Sequence, residues 1–313
     1  MTLAQRISGR FRRSRSSGPT GRQRAVAERT VKTILRRRTI NAVMTGIVGL
    51  AALITTLPLL FILFHLVREG ASSLSPAFFT NMPKPVGEGD SGMANAIVGT
   101  LILIGVACAI GLPIGIGAGL YLADFRGSRL ATVVRFLADV LNGLPSIVVG
   151  IFAWQFLVRP LGHFSALAGG VALAAMMVPM ITRTTEEMVR LVPVSLREAA
   201  LALGYSRART ALTVVLRTAT AGIVTGVLVA VARIAGETAP LLFTAFGNQF
   251  WSVRLDQPVA ALPLQIFSYA VSPYDEWHRL AWGGALVLIV VVFIISVAAR
   301  FATRAKFTSG GHD

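Results

Sequence analysis

The stretch Gly283-Gly-Ala-Leu-Val-Leu-Ile-Val-Val-Val-Phe-Ile-Ile-Ser-Val-Ala-Ala299 contains no charged residue. A continuous apolar run of this length is typical of a membrane span, and in lipid it must satisfy its backbone hydrogen bonds within a helix. A transmembrane β-barrel would instead show alternating segments of about ten residues. The stretch therefore predicts an all-α, polytopic membrane protein.

The rest of the chain extends this pattern to six predicted spans. The 313 residues are 54% hydrophobic and only 14% charged. Hydropathy places the spans at 40–66, 94–122, 136–158, 166–183, 218–245 and 280–301. The predicted organisation is a basic tail (1–39), a first span (40–66), an extracytoplasmic loop (67–93), a five-span core (94–302) and a second tail (303–313).

The distribution of positive charge predicts the orientation. The two tails, Arg300 at the end of the last span, and the intervals 124–135 and 183–217 carry 24 of the 30 lysines and arginines, whereas the opposite side carries five. Because positively charged loops stay in the cytoplasm, both termini and the interval 183–217 are predicted to be cytoplasmic. An even number of spans likewise places both termini on one side of the membrane.

The basic tail could suggest nucleic-acid binding, but a membrane contact fits it better. Its Arg-rich and Ser-rich sequence, such as Arg10-Phe-Arg-Arg-Ser-Arg15, predicts disorder. A tail attached to a span lies next to anionic lipid, where each basic residue contributes roughly 1 kcal/mol of binding free energy. We therefore expect lipid contact and no nucleic acid.

A polar segment, Ser195-Leu-Arg-Glu198-Ala199-Ala200-Leu-Ala-Leu-Gly204, separates the fourth and fifth predicted spans. Ser195 and Glu198 have the spacing of a capping box, which predicts that a short helix begins with Ser195 as its N-cap. Gly204 can adopt the left-handed conformation that ends a helix. The coupling segment is predicted at about 195–217, and its first helix can enter a groove because Ala199 and Ala200 keep one face shallow.

The fifth predicted span contains Arg233-Ile-Ala-Gly236-Glu237-Thr238-Ala-Pro240. An arginine at the centre of a bilayer costs at least about 2.5 kcal/mol, so charged residues in spans usually face a bundle interior or a pathway. Arg233 and Glu237 are four residues apart and share a helix face. They form either a structural ion pair or a pathway for an oxyanion. We expect Pro240 to break the helix, and Gly236 to allow close approach.

These residues give the chain a resemblance to a known family, the PstA-type permeases of phosphate-specific ABC importers. The resemblance covers roughly residues 94–302 and rests on the two segments above and on further short motifs. These are Gly143-Leu-Pro145-Ser146-Ile-Val, Val178-Pro179, Arg183-Thr-Thr-Glu186-Glu187, Asn248-Gln-Phe-Trp251, Gln257-Pro258 and Glu276-Trp277. The fifth-span motif is more specific than the coupling segment, which recurs across many importers. The chain departs from the general coupling motif because Arg217 follows Leu216 where a proline is common.

The resemblance implies a phosphate permease subunit in a bacterial plasma (inner) membrane, with phosphate passing Arg233 and Glu237. It implies three kinds of partner: a homologous six-span PstC-type permease, two nucleotide-binding ATPases and an extracytoplasmic phosphate-binding protein. Glu198, Ala199, Ala200 and Gly204 would contact an ATPase. Gly143, Pro145 and Ser146 could form a bend that faces the pathway. Arg183, Glu186 and Glu187 are interpreted as anchors at a cytoplasmic span end.

Other functions fit the sequence less well. No Gly-x-x-x-x-Gly-Lys-[Ser/Thr] motif occurs, so we expect the partner ATPases, and not this chain, to use ATP and magnesium. The four histidines have no metal-ligand spacing, and no metal or cofactor is expected. A sulfate or molybdate permease, an ion-driven secondary transporter and an intramembrane enzyme remain as alternatives, although the spans show neither a clear repeat nor a nucleophile and base.

Overall fold

A computed structural model describes residues 21–125 and 127–308, with side chains from residue 36 to 301 except residue 126. The chain divides into two units, residues 1–63 and 64–313. Every regular element in the described part is helical. The helices are α1 (Gly21–Ser72), α2 (Pro76–Thr80), α3 (Ala94–Asp124), α4 (Arg129–Gly143), α5 (Ser146–Ala153), α6 (Arg159–Leu161), α7 (Ala166–Arg190), α8 (Val194–Ala202), α9 (Arg207–Arg209), α10 (Leu216–Ala235), α11 (Ala239–Thr244), α12 (Leu262–Ala270) and α13 (Asp275–Thr308).

Five continuous helices in the described part are long and apolar enough to cross a membrane, which confirms the predicted polytopic class. They are Arg36–Ser72, Ala94–Asp124, Ala166–Arg190, Arg207–Ala235 and Asp275–Phe301. The fourth of these is continuous because a π-helical stretch, Thr210–Val215, joins α9 to α10. Six spans result if one bent helix pair also crosses.

That bent pair corrects the predicted third span, 136–158. Helices α4 and α5 meet at an angle of 107° across a break of two residues, so the segment is not one straight helix. Leu144 and Pro145 both have extended backbone angles, with ψ of 137° and 135°. Because proline also disfavours a helical conformation in the residue before it, α4 ends at Gly143.

Both predicted tails contain helix. Residues 21–39 belong to α1, which corrects the prediction of disorder for that part of the tail; residues 1–20 lie outside the described part. The alanine, leucine, lysine, arginine and glutamate residues between 21 and 39 are good helix formers, so the span can extend into them. At the other end α13 continues to Thr308, beyond the predicted span end at 301.

The core of the second unit is built around the pair formed by α3 and α7. Buried side chains of these helices, including Leu103, Met177 and Ile181, pack with Ile234 of α10 and Leu241 of α11. Helix α7 also extends beyond its predicted end at 183 to Arg190. The extended helix therefore ends four residues before α8, the first helix of the polar segment that precedes the fifth span.

Glycines on one face of α3 allow the two helices to approach closely. Gly111, Gly115 and Gly119 recur every four residues and face α7. A β-carbon on Gly115 would lie 2.8 Å from the Cβ of Ile181 and 3.2 Å from the carbonyl oxygen of Val178. Small residues at this spacing are a common means of close packing between helices in membranes.

Candidate functional site

The fifth span is interrupted next to its charged residues. Helix α10 ends at Ala235, and Gly236, Glu237 and Thr238 separate it from α11. Pro240 lies in the first turn of α11, where a proline needs no backbone donor. The prediction that Pro240 breaks the helix is therefore wrong in position, because the break precedes it. The continuous predicted span 218–245 is corrected in the same way.

Arg233 lies in the last turn of α10, just before this break, and Glu237 lies within the break. The Nε of Arg233 is 3.9 Å from Oε1 of Glu237, and the arginine side chain is 48% exposed while the glutamate is 18% exposed. One guanidinium nitrogen, Nη1, also lies 3.8 Å from the sulfur of Met180 on α7. The long ion-pair distance and the exposed guanidinium leave hydrogen-bond donors of Arg233 open to a further group.

The bend between α4 and α5 places α5 against the segment that follows the break. A β-carbon on Gly150 of α5 would lie only 2.7 Å from the Cα of Pro240. Gly143, Pro145 and Ser146 thus form a turn that directs α5 toward α11. Their role in a pathway stays a prediction.

A second charged cluster lies on α7 and α4, and its center is a carboxylate that is fully buried. Glu186 has no exposed side-chain surface. Its Oε1 lies 2.6 Å from Nε of Arg135 and also accepts from Arg190, while Oε2 is 3.0 Å from Nη1 of Arg183. Arg183 also binds Asp139, with Nε 3.0 Å from Oδ1.

This cluster corrects the interpretation of Arg183, Glu186 and Glu187 as three similar span-end anchors. Only Glu187 is exposed, whereas Glu186 joins two helices. Residues 183, 186 and 190 have the spacing of one helix face, and that signal was available in the sequence. The spacing does not show that Arg135 reaches the same face from α4.

The coupling segment forms a short helix, α8, that begins earlier than predicted. Pro193 occupies the N-cap position, and no side chain caps the helix. The predicted capping box between Ser195 and Glu198 is therefore wrong. The proline fixes its own φ at −54°, so the helix begins at Val194 and Ser195 already lies inside its first turn.

The end of α8 agrees with the prediction for Gly204, whose φ is +85°. The amide of Gly204 donates to the carbonyl of Leu201 at 2.9 Å, and the amide of Tyr205 donates to that of Ala200 at 3.1 Å. This pair of bonds is a Schellman motif. Ala200 is buried, whereas Glu198 and Ala199 are exposed.

Comparison with known proteins assigns the chain to a family. The family model for the binding-protein-dependent transport system inner membrane component matches residues 111–306. The chain belongs to this family. It is a multi-pass inner-membrane protein, the permease type of subunit found in ABC importers.

Within this family the chain is similar to curated proteins named phosphate transport system permease protein PstA, which confirms the resemblance to PstA-type permeases. It is 50% identical to the Yersinia pestis protein over 77% of this chain and 82% of the relative. It is 44% identical to the Haemophilus influenzae protein over 86% of this chain and 96% of the relative. These relatives cover both the break in the fifth span and the coupling segment.

Solved structures support the fold. The inward-facing MetNI methionine ABC transporter in its native crystal form matches with a TM-score of 0.54 and 20% identity, covering 67% of this chain and 92% of that chain. A second crystal form of the same transporter matches with a TM-score of 0.53 and 21% identity, covering 68% and 94%. The chain therefore has the helical architecture of an ABC transporter transmembrane domain.

Proposed function

We propose that this chain is the PstA-type permease subunit of an ATP-driven importer of inorganic phosphate. The names of its relatives support the substrate. The observation that carries the proposal is the pair of Arg233 and Glu237 at the break in the fifth span.

The exposure of Arg233 supports a pathway and not a lipid contact. A guanidinium facing lipid would be costly, yet 48% of this side chain is exposed on the chain taken alone. A second permease subunit and the substrate path are the environments that make such a position favourable. We therefore propose a homologous six-span PstC-type partner on this side.

The chemistry of the pair suits phosphate. Arginine offers a planar set of donors for an oxyanion, and a carboxylate can accept a hydrogen bond from the hydroxyl of an oxyanion that still carries a proton. Phosphate retains a proton near neutral pH, whereas sulfate does not. Arg233 would bind the anion, Glu237 would accept from its hydroxyl, and Gly236 and Thr238 would form the rest of the break that admits it, with Pro240 in the first turn of the helix that follows.

The energy would come from partner subunits. We propose that two ATPases bind ATP and magnesium, and that one of them contacts α8 through Glu198 and Ala199. Ala200, which was also expected to contact the ATPase, is buried against the permease instead. Exposed apolar side chains beside these residues, Leu191, Val194 and Leu203, support a docking surface. An extracytoplasmic binding protein would deliver phosphate, and this chain would bind no cofactor.

The test is uptake of labelled phosphate into liposomes that contain the chain with its partner permease and ATPases, with binding protein supplied at the extracytoplasmic side. We expect uptake to require ATP and to resist excess sulfate and molybdate. Arg233→Ala should abolish it. Arg254→Ala is the matched control, because Arg254 pairs with Asp256 at 2.7 Å in the loop between α11 and α12.

Each alternative predicts a different result in this experiment. Uptake without ATPases would indicate a secondary transporter. Competition by sulfate or molybdate would indicate an importer of another oxyanion. Full uptake by the Arg233→Ala complex would remove Arg233 from the pathway.

A further inference from the structure

Arg197 joins the coupling helix α8 to two other helices. One guanidinium nitrogen, Nη1, lies 2.5 Å from Oδ1 of Asp124, the last residue of α3. The other, Nη2, donates to the carbonyl oxygen of Val189 at 3.1 Å, one residue before the end of α7. The side chains of Arg197 and Asp124 are only 21% and 30% exposed, so water screens their attraction less than at an open surface.

The position of Arg197 on α8 separates it from the surface proposed to contact the ATPase. Arg197 is half-buried and Ala200, three residues later, is buried, so this face of α8 lies against the rest of the unit. Glu198 and Ala199 are exposed. One face of the helix is thus free for a partner, while Arg197 holds the other face to the permease.

The two helices that Arg197 contacts form one closely packed pair. The glycines of α3 leave no room for a β-carbon against α7, so the helices cannot slide past each other without loss of packing. Helix α7 carries Met180, which contacts Arg233 beside the break in the fifth span. A continuous set of contacts therefore runs from Arg197, through α7, to the proposed phosphate site.

We propose that Arg197 is a positioning residue that transmits the displacement of α8 to the pair formed by α3 and α7. This inference rests on the proposed function, because it concerns the step between ATP hydrolysis and opening of the pathway. Without Arg197, what the described part of the chain still shows holding α8 is its chain connections to α7 and α9 and its apolar packing. The ATPases then still move α8, but α3 and α7 follow less completely, and ATP is hydrolysed without transport.

The test is the number of ATP molecules hydrolysed per oxyanion imported, measured in the same liposomes with the complete complex. We expect Arg197→Ala to raise this ratio about fivefold while hydrolysis stimulated by the binding protein continues. Arg197→Lys keeps the charge but not the forked pair of donors, and should give an intermediate ratio. Arg197, Asp124 and Arg207 all line one cavity of about 520 Å³. Arg207→Ala is the control, because Arg207 is in no ion pair within the described part of the chain.

A charge exchange separates transmission from general damage. Arg197→Asp combined with Asp124→Arg restores the ion pair with the charges exchanged. The ratio of ATP hydrolysed to oxyanion imported in this double variant should be close to that of the unmodified complex, and it can be measured even if the Arg197→Ala complex fails to assemble. An unchanged ratio in an assembled Arg197→Ala complex would overturn the proposal, as would a ratio that stays raised in the exchanged variant. An equal loss of hydrolysis and uptake would also overturn it, since Arg197 would then act on the ATPase itself.

These outcomes are independent of the identity of the substrate. If the unmodified complex imports sulfate or molybdate, the proposed function fails while the ratio can still be measured with that anion. If it imports phosphate and the ratio is unaffected by Arg197→Ala, only the role of Arg197 fails.

Discussion

The guanidinium of Arg135 lies 2.6 Å from the carboxylate of Glu186, although the two residues are 51 positions apart and on different helices. The same arginine donates to the carbonyl of Leu122 at 2.9 Å, near the end of α3. Arg135 thus links α4, α3 and α7 at one end of the second unit. Within this link, the buried carboxylate of Glu186 on α7 accepts the hydrogen bond from Arg135 of α4.

We expect Glu186→Gln to destabilise the permease. An amide cannot neutralise three arginines, and the loss of charge-assisted hydrogen bonds should cost about 2 kcal/mol of unfolding free energy. Thermal unfolding of the purified complex should show a lower Tm. Glu187→Gln is the control because Glu187 is adjacent and exposed. Equal Tm values for both variants would show that the buried carboxylate has no special role.

This cluster shows where the sequence was sufficient and where it was not. The spans, the charge asymmetry and the glycine at position 204 follow from local patterns such as hydropathy and backbone preference. The partners of Glu186 do not, because they depend on how α4 packs against α7. Local signals could also mislead: Ser195 and Glu198 have capping-box spacing, but Pro193 begins the helix earlier.

We expect Gly115→Val to disturb the packing of α3 against α7. Its β-carbon would lie 2.8 Å from the Cβ of Ile181, too close without movement of a helix. Overpacking of this kind should cost about 2 kcal/mol of unfolding free energy. The matched control is Gly117→Val, since a β-carbon at Gly117 meets no atom within 4 Å. A Tm of the Gly115 variant equal to that of the control would contradict the close packing.

We expect Gly204→Ala to destabilise the end of the coupling helix. The residue has a φ of +85°, which costs a residue with a β-carbon about 1 kcal/mol or more. Recovery of the ATPase on purification of the permease should fall, because α8 would lose its defined end. Asparagine tolerates this conformation better, so Gly204→Asn should retain more ATPase than Gly204→Ala. The reverse order would show that backbone conformation is not the cause.

The position of the break in the fifth span is a further limit of sequence reasoning. Pro240 was the expected breaking residue, yet proline is well tolerated in the first turn of a helix, and it occupies that position in α11. The preceding Gly236, Glu237 and Thr238 form the break instead. The expectation that the helix breaks next to the charged pair nevertheless agrees with the structure, because Arg233 precedes the break and Glu237 lies within it.

The central claim, that this break lies on the phosphate pathway, is tested most directly by chemical protection at Gly236. In the described part of the chain, a β-carbon on Gly236 would come no closer to a non-neighbouring residue than 3.9 Å, from the carbonyl oxygen of Arg233, so a cysteine can be introduced there after Cys108→Ala removes the native thiol. In the complete complex during ATP-driven transport, we predict that a water-soluble thiol reagent modifies Gly236→Cys and that phosphate, but not sulfate, slows the modification. Modification at a rate unaffected by phosphate would contradict the claim.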